Sequence, residues 1–332
     1  MTSTLPKEAG PAGQTVAARI KDTVLNEFSW IWGGTVILFI LCTFIAPGVV
    51  RPAAISSMLP FAAILAITAV GMTVVIQQRG LDMSLPGTMT IAGLLFAKIG
   101  FMTGSTLLAV PLTLAIAVCI GIVNGLLVAK VNITPIVVTL ATNAILMGAV
   151  RAVSGGSPMT APAELAAFSH GKLLGVPMTL ILAVGFIIVI SVVTKRTIAG
   201  RRFVAVGANP AAATAAGIPI LRYQVATYAI AALCFAVAGM LFTGFIGSAS
   251  QTAGVDFLLP AIAAVVVGGT PFSGGRGSVI ASGVAALFMA QLGQMVLALG
   301  ASTAIQLLVQ ALAIIIAVAV RHLPALFGYM RR

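Results

Sequence analysis

Ten runs of apolar residues follow one another along this chain, each near the length needed to cross lipid, and that succession decides what the chain can become. About 20 helical residues cross the roughly 30 Å of hydrocarbon in a bilayer. The runs 31–49, 55–78, 84–103, 105–129, 133–152, 173–194, 223–247, 255–270, 278–299 and 302–320 approach or exceed that length. In lipid a spanning segment must satisfy its own backbone N–H and C=O groups, so the expected fold is all-α, a polytopic membrane protein of about ten transmembrane helices. The 255–270 run is short for a span, which predicts a broken or partly re-entrant helix. Only 7% of the 332 residues are charged and 60% are hydrophobic, which excludes an ordinary soluble domain. Residues 1–29 are polar and lack a cleavage site after a short apolar core. The expected organisation is a cytoplasmic N-terminal tail over 1–29 and a single transmembrane domain over 30–332.

Charge sets the orientation. The 18 Lys and Arg against 6 Asp and Glu give a net +12. In a soluble protein that balance would suggest nucleic acid, but here the basic residues flank apolar spans, as the cytoplasmic loops of membrane proteins do. With both termini inside, only Arg51, Lys98, Arg151 and Lys172 fall on the outer side. Membrane lipid is the expected surrounding and no nucleic acid partner is expected. Cys42, Cys119 and Cys234 sit within predicted spans without metal-ligand spacing, so no metal site is expected and they read as small packing residues.

The basic loop 195–222 holds a short helix signature. Asn209 suits an N-cap, Pro210 the first helical position, Ala211 to Ala216 are strong helix formers, and Gly217 suits a left-handed C′ residue. A helix of roughly eight residues cannot span and is not stable alone in water, so it must pack on something. Docking on another protein and lying on the chain's own surface are both open.

Four stretches, in this order, resemble the ribose-type ABC sugar importer permeases, the branched-chain amino acid/ribose-type inner-membrane permease subunits. AVGMTVVIQQRGLDMSLPG (69–87) resembles G-M-T-x-V-I-x-x-G-G-I-D-L-S-V-G, and ITPIVVTLATNAILMGAV (133–150) is similar to I-P-x-F-I-V-T-L-G-x-x-x-x-x-R-G. KRTIAGRRFVAVGANPAAATAAGIPILR (195–222) resembles the family's cytoplasmic loop, and AIAAVVVGGTPFSGGRGSV (261–279) its A-V-V-x-G-G-x-x-x-x-G-G-x-G segment. Two departures stand out: Arg79–Gly80 replaces the usual Gly-Gly, and Pro86 the usual Val. Arginine turns a closely approached backbone into a bulky cation.

The resemblance implies the permease subunit of an ATP-driven importer in the bacterial cytoplasmic membrane. It implies a second permease copy or paralogue, a cytoplasmic ATPase subunit and a periplasmic solute-binding protein delivering a sugar or sugar-like solute. The chain itself carries no G-x-x-x-x-G-K-[ST], so no cofactor is expected on it and ATP with Mg is expected on the partner. No catalytic residues are expected. Coupling to the ATPase falls on Arg201, Arg202, Gly207, Asn209, Pro210, Ala211, Ala212 and Gly217.

Candidate pathway or gating residues are Gly80, Asp82, Ser84, Asn143, Gly268, Gly269, Gly274, Gly275, Gln291 and Gln294. An offset of 190 places Val75 on Val265, Gly87 on Gly277 and Gly93 on Gly283, a faint repeat of the kind that pairs broken transporter helices. Tight hairpin turning is the plainer reading of both glycine loops. Asp82, near Arg79 and Arg276, reads as an ion-pair member, an N-cap or a site residue, and Asp256 as an N-cap. Asn124, Asn132, Thr139, Thr142, Asn143, Gln251, Gln291, Gln294, Gln306 and Gln310 suit either a path for a neutral solute or hydrogen bonds between helices. The alternative function is an ion-coupled secondary transporter of a small polar solute, against which the scarcity of carboxylates within spans weighs. An intramembrane enzyme would need a nucleophile and base, or a metal, at membrane depth, and both histidines lie outside the runs.

Overall fold

The computed structural model describes residue 28 and residues 30–329, with side chains as far as residue 319. Most of the 1–29 tail, the His322 side chain, Arg331 and Arg332 lie outside those residues. Each of the ten apolar runs contains one helix: α1 Trp30–Ile45, α2 Pro52–Gln77, α3 Leu85–Thr103, α4 Thr106–Ala129 and α5 Pro135–Ser154. Beyond the short α6, Ala163–His170, come α7 Met178–Arg196, α8 Ile198–Ala208 and α9 Pro210–Ala215. The remainder are α10 Ile220–Ile246, α11 Val255–Val267, α12 Val279–Ala298 and α13 Thr303–Tyr329.

Among the described residues seven helices, α2, α3, α4, α5, α7, α10 and α12, are long and apolar enough to cross a membrane. Three apolar segments are shorter, Trp30–Ile45, Val255–Val267 and Thr303–Ala319. The 13 residues of α11 reach about 20 Å, well short of a bilayer. Helix α11 ends before Gly268, and the glycine loop that follows leads into α12.

Burial sorts the helices into two layers. α2, α3, α10 and α12 are mostly buried, whereas α4, α5 and α7 bury only a narrow stripe and expose the rest. α10 is the hub, packed on α2, α3 and α4. Small residues permit this. A Cβ on Gly121 would overlap the Tyr228 carbonyl, and one on Gly125 would lie 2.6 Å from the Val225 Cα, so α4 lies backbone to backbone against α10.

Four features depart from the sequence reading. Residues 198–208 are helical rather than loop, started by the Thr197 hydroxyl accepting from the Gly200 N–H at 3.0 Å. Two antiparallel pairings of two residues each, Met159–Thr160 with Ser248–Ala249 and Lys172–Leu173 with Val176–Pro177, tie loops together. Asp256 is not an N-cap. Gly254 holds that place, donating its N–H to Thr90 Oγ1 at 3.0 Å, and Asp256 sits in the first turn. Cys42 and Cys234 are buried, but Cys119 is exposed on α4 and packs no core.

The α4–α10 contact makes a prediction. Gly121→Ala forces a methyl into the Tyr228 backbone and is expected to cost about 1–3 kcal/mol, seen as lower thermal stability in detergent. Gly148→Ala on α5, with open space around its Cβ, leaves stability unchanged. Equal behaviour of the two variants contradicts this packing.

Candidate functional site

Two short helices and two glycine loops meet at one end of the bundle. α8 is amphipathic: Phe203, Val206 and Gly207 are buried while Arg201 and Arg202 are exposed. It stops at Asn209, whose extended backbone turns the chain and whose Oδ1 accepts from the Ala212 N–H at 3.1 Å, capping α9. Pro210 occupies the first position of α9. At the far end the Ile218 N–H reaches the Ala213 carbonyl at 3.0 Å and the Gly217 N–H reaches the Thr214 carbonyl at 2.9 Å. With Gly217 at φ +73°, this is a Schellman cap. Six residues are therefore fixed at both ends. Of α9 only Ala213 is buried, and Ala211, Ala212, Thr214 and Ala215 face outward.

The C-terminal end of α2 receives this pair. The Gln77 carbonyl accepts from the Gly275 N–H at 2.8 Å, and Gln78 Nε2 donates to the Phe203 carbonyl at 2.7 Å. Gly207 is pressed so closely on the Gln77 carbonyl that no Cβ fits, so among the expected coupling residues it faces inward. A Cβ on Gly275 would lie 2.5 Å from the Ala208 Cα, so that glycine too marks a close approach. Arg79 completes the junction. Its Nε donates to the Gly207 carbonyl at 2.8 Å and its Nη2 to the Ala208 carbonyl, two of the free carbonyls at the α8 C-terminus. A cation there also complements the helix dipole.

The 190-residue offset has a structural counterpart at this point. At the end of α2, Arg79 N–H bonds the Ile76 carbonyl and Gly80 N–H the Val75 carbonyl; at the end of α11, Gly269 bonds Val266 and Thr270 bonds Val265. Arg79 holds φ +62° where Gly269 holds φ +92°. The arginine thus occupies a left-handed position suited to glycine, and its side chain joins the first loop to α8.

A second polar group lies beside the first loop. Asp82 Oδ1 accepts from the Ser84 N–H at 2.9 Å and from the Ser84 hydroxyl at 2.5 Å. Ser84 Oγ accepts from Asn124 Nδ2 at 3.1 Å, and Asn124 Oδ1 from the Thr142 hydroxyl at 2.6 Å. From α5, Thr139 Oγ1 and Asn143 Oδ1 accept from the Met83 and Gly87 N–H groups at 2.9 and 2.8 Å, satisfying the start of α3. These residues bond helices to one another. Asp82 makes no ion pair with Arg79, whose guanidinium is turned to α8. Burial pushes its carboxyl up to about 6 against the opposing pull of the Ser84 hydrogen bonds.

Gln291 and Gln294 stand elsewhere. Gln291 Nε2 donates to Cys42 Sγ at 3.4 Å and Gln294 Nε2 to the Ala54 carbonyl at 3.2 Å. Ala54 and Gln77 are at opposite ends of α2, about 35 Å apart. The expected pathway residues therefore fall into two groups, one at each end of the bundle. The Arg79 link was not legible as a function, since its acceptors are backbone carbonyls more than a hundred residues away.

Comparison with known proteins agrees with the four stretches. The model of the family described as branched-chain amino acid transport system / permease component matches residues 54–318. The ribose import permease protein RbsC of Bacillus subtilis is 35% identical over 86% of this chain and 89% of its own length. RbsC of Escherichia coli K12 is 34% identical over 77% and 81%, respectively. The autoinducer 2 import system permease protein LsrD of Yersinia enterocolitica is 31% identical over 69% and 71%. No solved structure matches the chain.

Arg79→Gly sets two opposing effects against each other. It relieves about 1–2 kcal/mol of left-handed backbone strain but removes two charge-assisted bonds that solvent screens in part. The expected result is faster amide hydrogen exchange within α8, by about fivefold for a net loss near 1 kcal/mol, with α4 and α5 unchanged. Unaltered protection of α8 refutes the link.

Proposed function

The chain belongs to the branched-chain amino acid transport system / permease component family, and on that premise we propose that α9 is where a cytoplasmic ATPase pushes on the membrane helices. The protein is a multi-pass membrane permease component of an ATP-binding-cassette importer and is not its catalytic subunit. Such importers work with an ATPase and a solute-binding protein. The finer reading is that ATP and Mg are held on the partner ATPase, that a second permease copy or paralogue pairs with this one, and that the solute is a sugar or sugar-like molecule delivered from the periplasm. Ribose import and autoinducer 2 import in the names of the relatives support that solute class.

One observation carries the coupling reading: a six-residue helix capped at both ends projects from the bundle with most of its surface free. A loop needs no such caps. Its neighbour α8 is fastened to the end of α2 through Arg79, Gln78 and Gly207, and Gln77 fastens the loop before α12. A displacement of α9 then reaches α2 and α12 together. The Thr73 hydroxyl donates to Ser282 Oγ at 2.8 Å and ties those two helices side by side. Nucleotide can bias the permease only if the ATPase contacts differ between its two states, and a rigid α9 is a handle through which such a difference acts. Arg201 and Arg202, exposed on α8, add positive charge beside it.

Asn209→Ala with Gly217→Val removes one cap and strains the other, at about 1–2 kcal/mol each. The chain is expected to insert normally while uptake and solute-stimulated ATP hydrolysis by the assembled importer fall about tenfold. Normal uptake overturns the coupling role. The orientation inferred from charge has its own test. Thr214→Cys, in a Cys119→Ser background, is expected to resist an impermeant thiol reagent in intact cells and to react after the cells are opened. Labelling in intact cells reverses the topology.

A further inference from the structure

At the end of the bundle that carries α8 and α9, a groove of about 140 Å³ lies between α7, α8 and α10. Its lining includes Val193 and Thr194 from the last turn of α7, Gly200 and Phe203 from α8, and Tyr223 and Thr227 from the first turns of α10. Gly200 lets α8 fold back this closely, because a Cβ there would run into the Val193 carbonyl. The interior offers a polar solute nothing. The Thr194 hydroxyl donates to the Ile190 carbonyl at 2.8 Å and the Thr227 hydroxyl to the Tyr223 carbonyl at 2.7 Å, and the accessible lining is wholly apolar. Hydrocarbon is the matter that such a surface takes up from water.

Cations flank the lining. Lys195, Arg196, Arg201, Arg202 and Arg222 each lie within two residues of a lining residue, all are exposed, and the sequence has no Asp or Glu between Glu164 and Asp256. α7 joins that charge to the bilayer. It buries only a narrow stripe, and Ile188, Val192 and Arg196 follow one another at i, i+4 and i+8, so an exposed apolar row ends in a cation. Val193, 41% exposed, carries the apolar surface round to the groove. α8 repeats the arrangement: Ile198 is 61% exposed, and Arg201 and Arg202 follow it at i+3 and i+4. A surface apolar toward the hydrocarbon and basic at its margin matches an anionic phospholipid. A soluble partner reaches the cations but not the row on α7, which belongs to a span.

We propose that this groove binds an anionic phospholipid of the adjoining leaflet, with one acyl chain against Val193, Phe203 and Tyr223 and the headgroup phosphate among the five cations. The site rests on the reading of α7 and α10 as membrane spans and does not need the coupling role of α9. On the orientation read from charge, that leaflet is the cytoplasmic one. α8 is fastened to the end of α2 through Gln78 and Arg79, so a lipid seated between α7 and α8 braces that junction as well.

The test uses the full chain in detergent with Cys119→Ser and Ala226→Cys, a small-for-small change at an exposed position of the groove lining. The rate of alkylation by N-ethylmaleimide is measured with dioleoyl phosphatidylglycerol, with dioleoyl phosphatidylcholine at the same mole fraction in the micelles, or with inorganic phosphate. Phosphatidylglycerol is expected to slow the reaction by about fivefold in a saturable way, and the other two to leave it near the lipid-free rate. Lys195→Gln, Arg196→Gln and Arg222→Gln together spare the arginines of α8. They are expected to retain thermal stability yet need about tenfold more phosphatidylglycerol for the same protection. Ala199→Phe, which fills the groove, is expected to abolish the protection. Absent protection, or equal protection by the two lipids, overturns the proposal, as does protection by phosphate alone or protection unchanged in the triple variant. Protection given by a co-expressed ATPase subunit and not by phosphatidylglycerol makes the groove a protein contact and overturns it too. The coupling reading is judged separately by the α9 caps, so failure of lipid protection rejects the lipid site alone.

Discussion

The carbonyl of Gln77 is the point on which the described architecture turns. A helix that ends inside an apolar protein leaves carbonyls that water does not reach, and the chain must supply the donors. Here the Gly275 N–H takes that carbonyl, Gly207 lies flat against it, and Arg79 two residues on reaches the end of α8. Three segments distant in sequence are thereby held at one place. The small-residue packing of α10 against α3 and α4 then fixes where α2 ends relative to the remaining helices.

Solvent explains how much of this was readable in the sequence. Hydropathy located the ten principal helices because lipid imposes length and apolarity on a segment regardless of its neighbours. α9 was legible down to its caps, since Asn209, Pro210 and Gly217 act through local geometry. α8 was not: two adjacent arginines and a mixed composition read as loop, and its helical form depends on burying Phe203 and Val206 against other segments. Likewise nothing local tells whether Asn124 faces a solute or a serine. The structure places it between Ser84 and Thr142, a choice made by tertiary packing.

The polar groups also differ in how they are hydrogen-bonded, in a way their residue types conceal. Around Ser84 the side chains of Asn124, Thr139, Thr142 and Asn143 are joined by hydrogen bonds that hold α3, α4 and α5 in register, although Asp82 Oδ2 is buried without a donor among the described residues. Toward the other end of α2 the Gln291, Gln294 and Gln310 side-chain oxygens are buried without a donor among the described residues. The distinction is one of bookkeeping among hydrogen bonds, and composition does not reveal it.

The two helix ends that share a turn geometry differ in the residue at the left-handed position, Arg79 in one and Gly269 in the other. At the α11 terminus a glycine completes the left-handed turn and projects nothing; at the α2 terminus an arginine completes the same turn and grips a neighbouring helix. The first loop is tied to α8 by the Arg79 side chain, and the second loop is held to the end of α2 by the main-chain bond from the Gly275 N–H to the Gln77 carbonyl. The same terminal turn thus serves once as a bare stop and once as a clasp between segments.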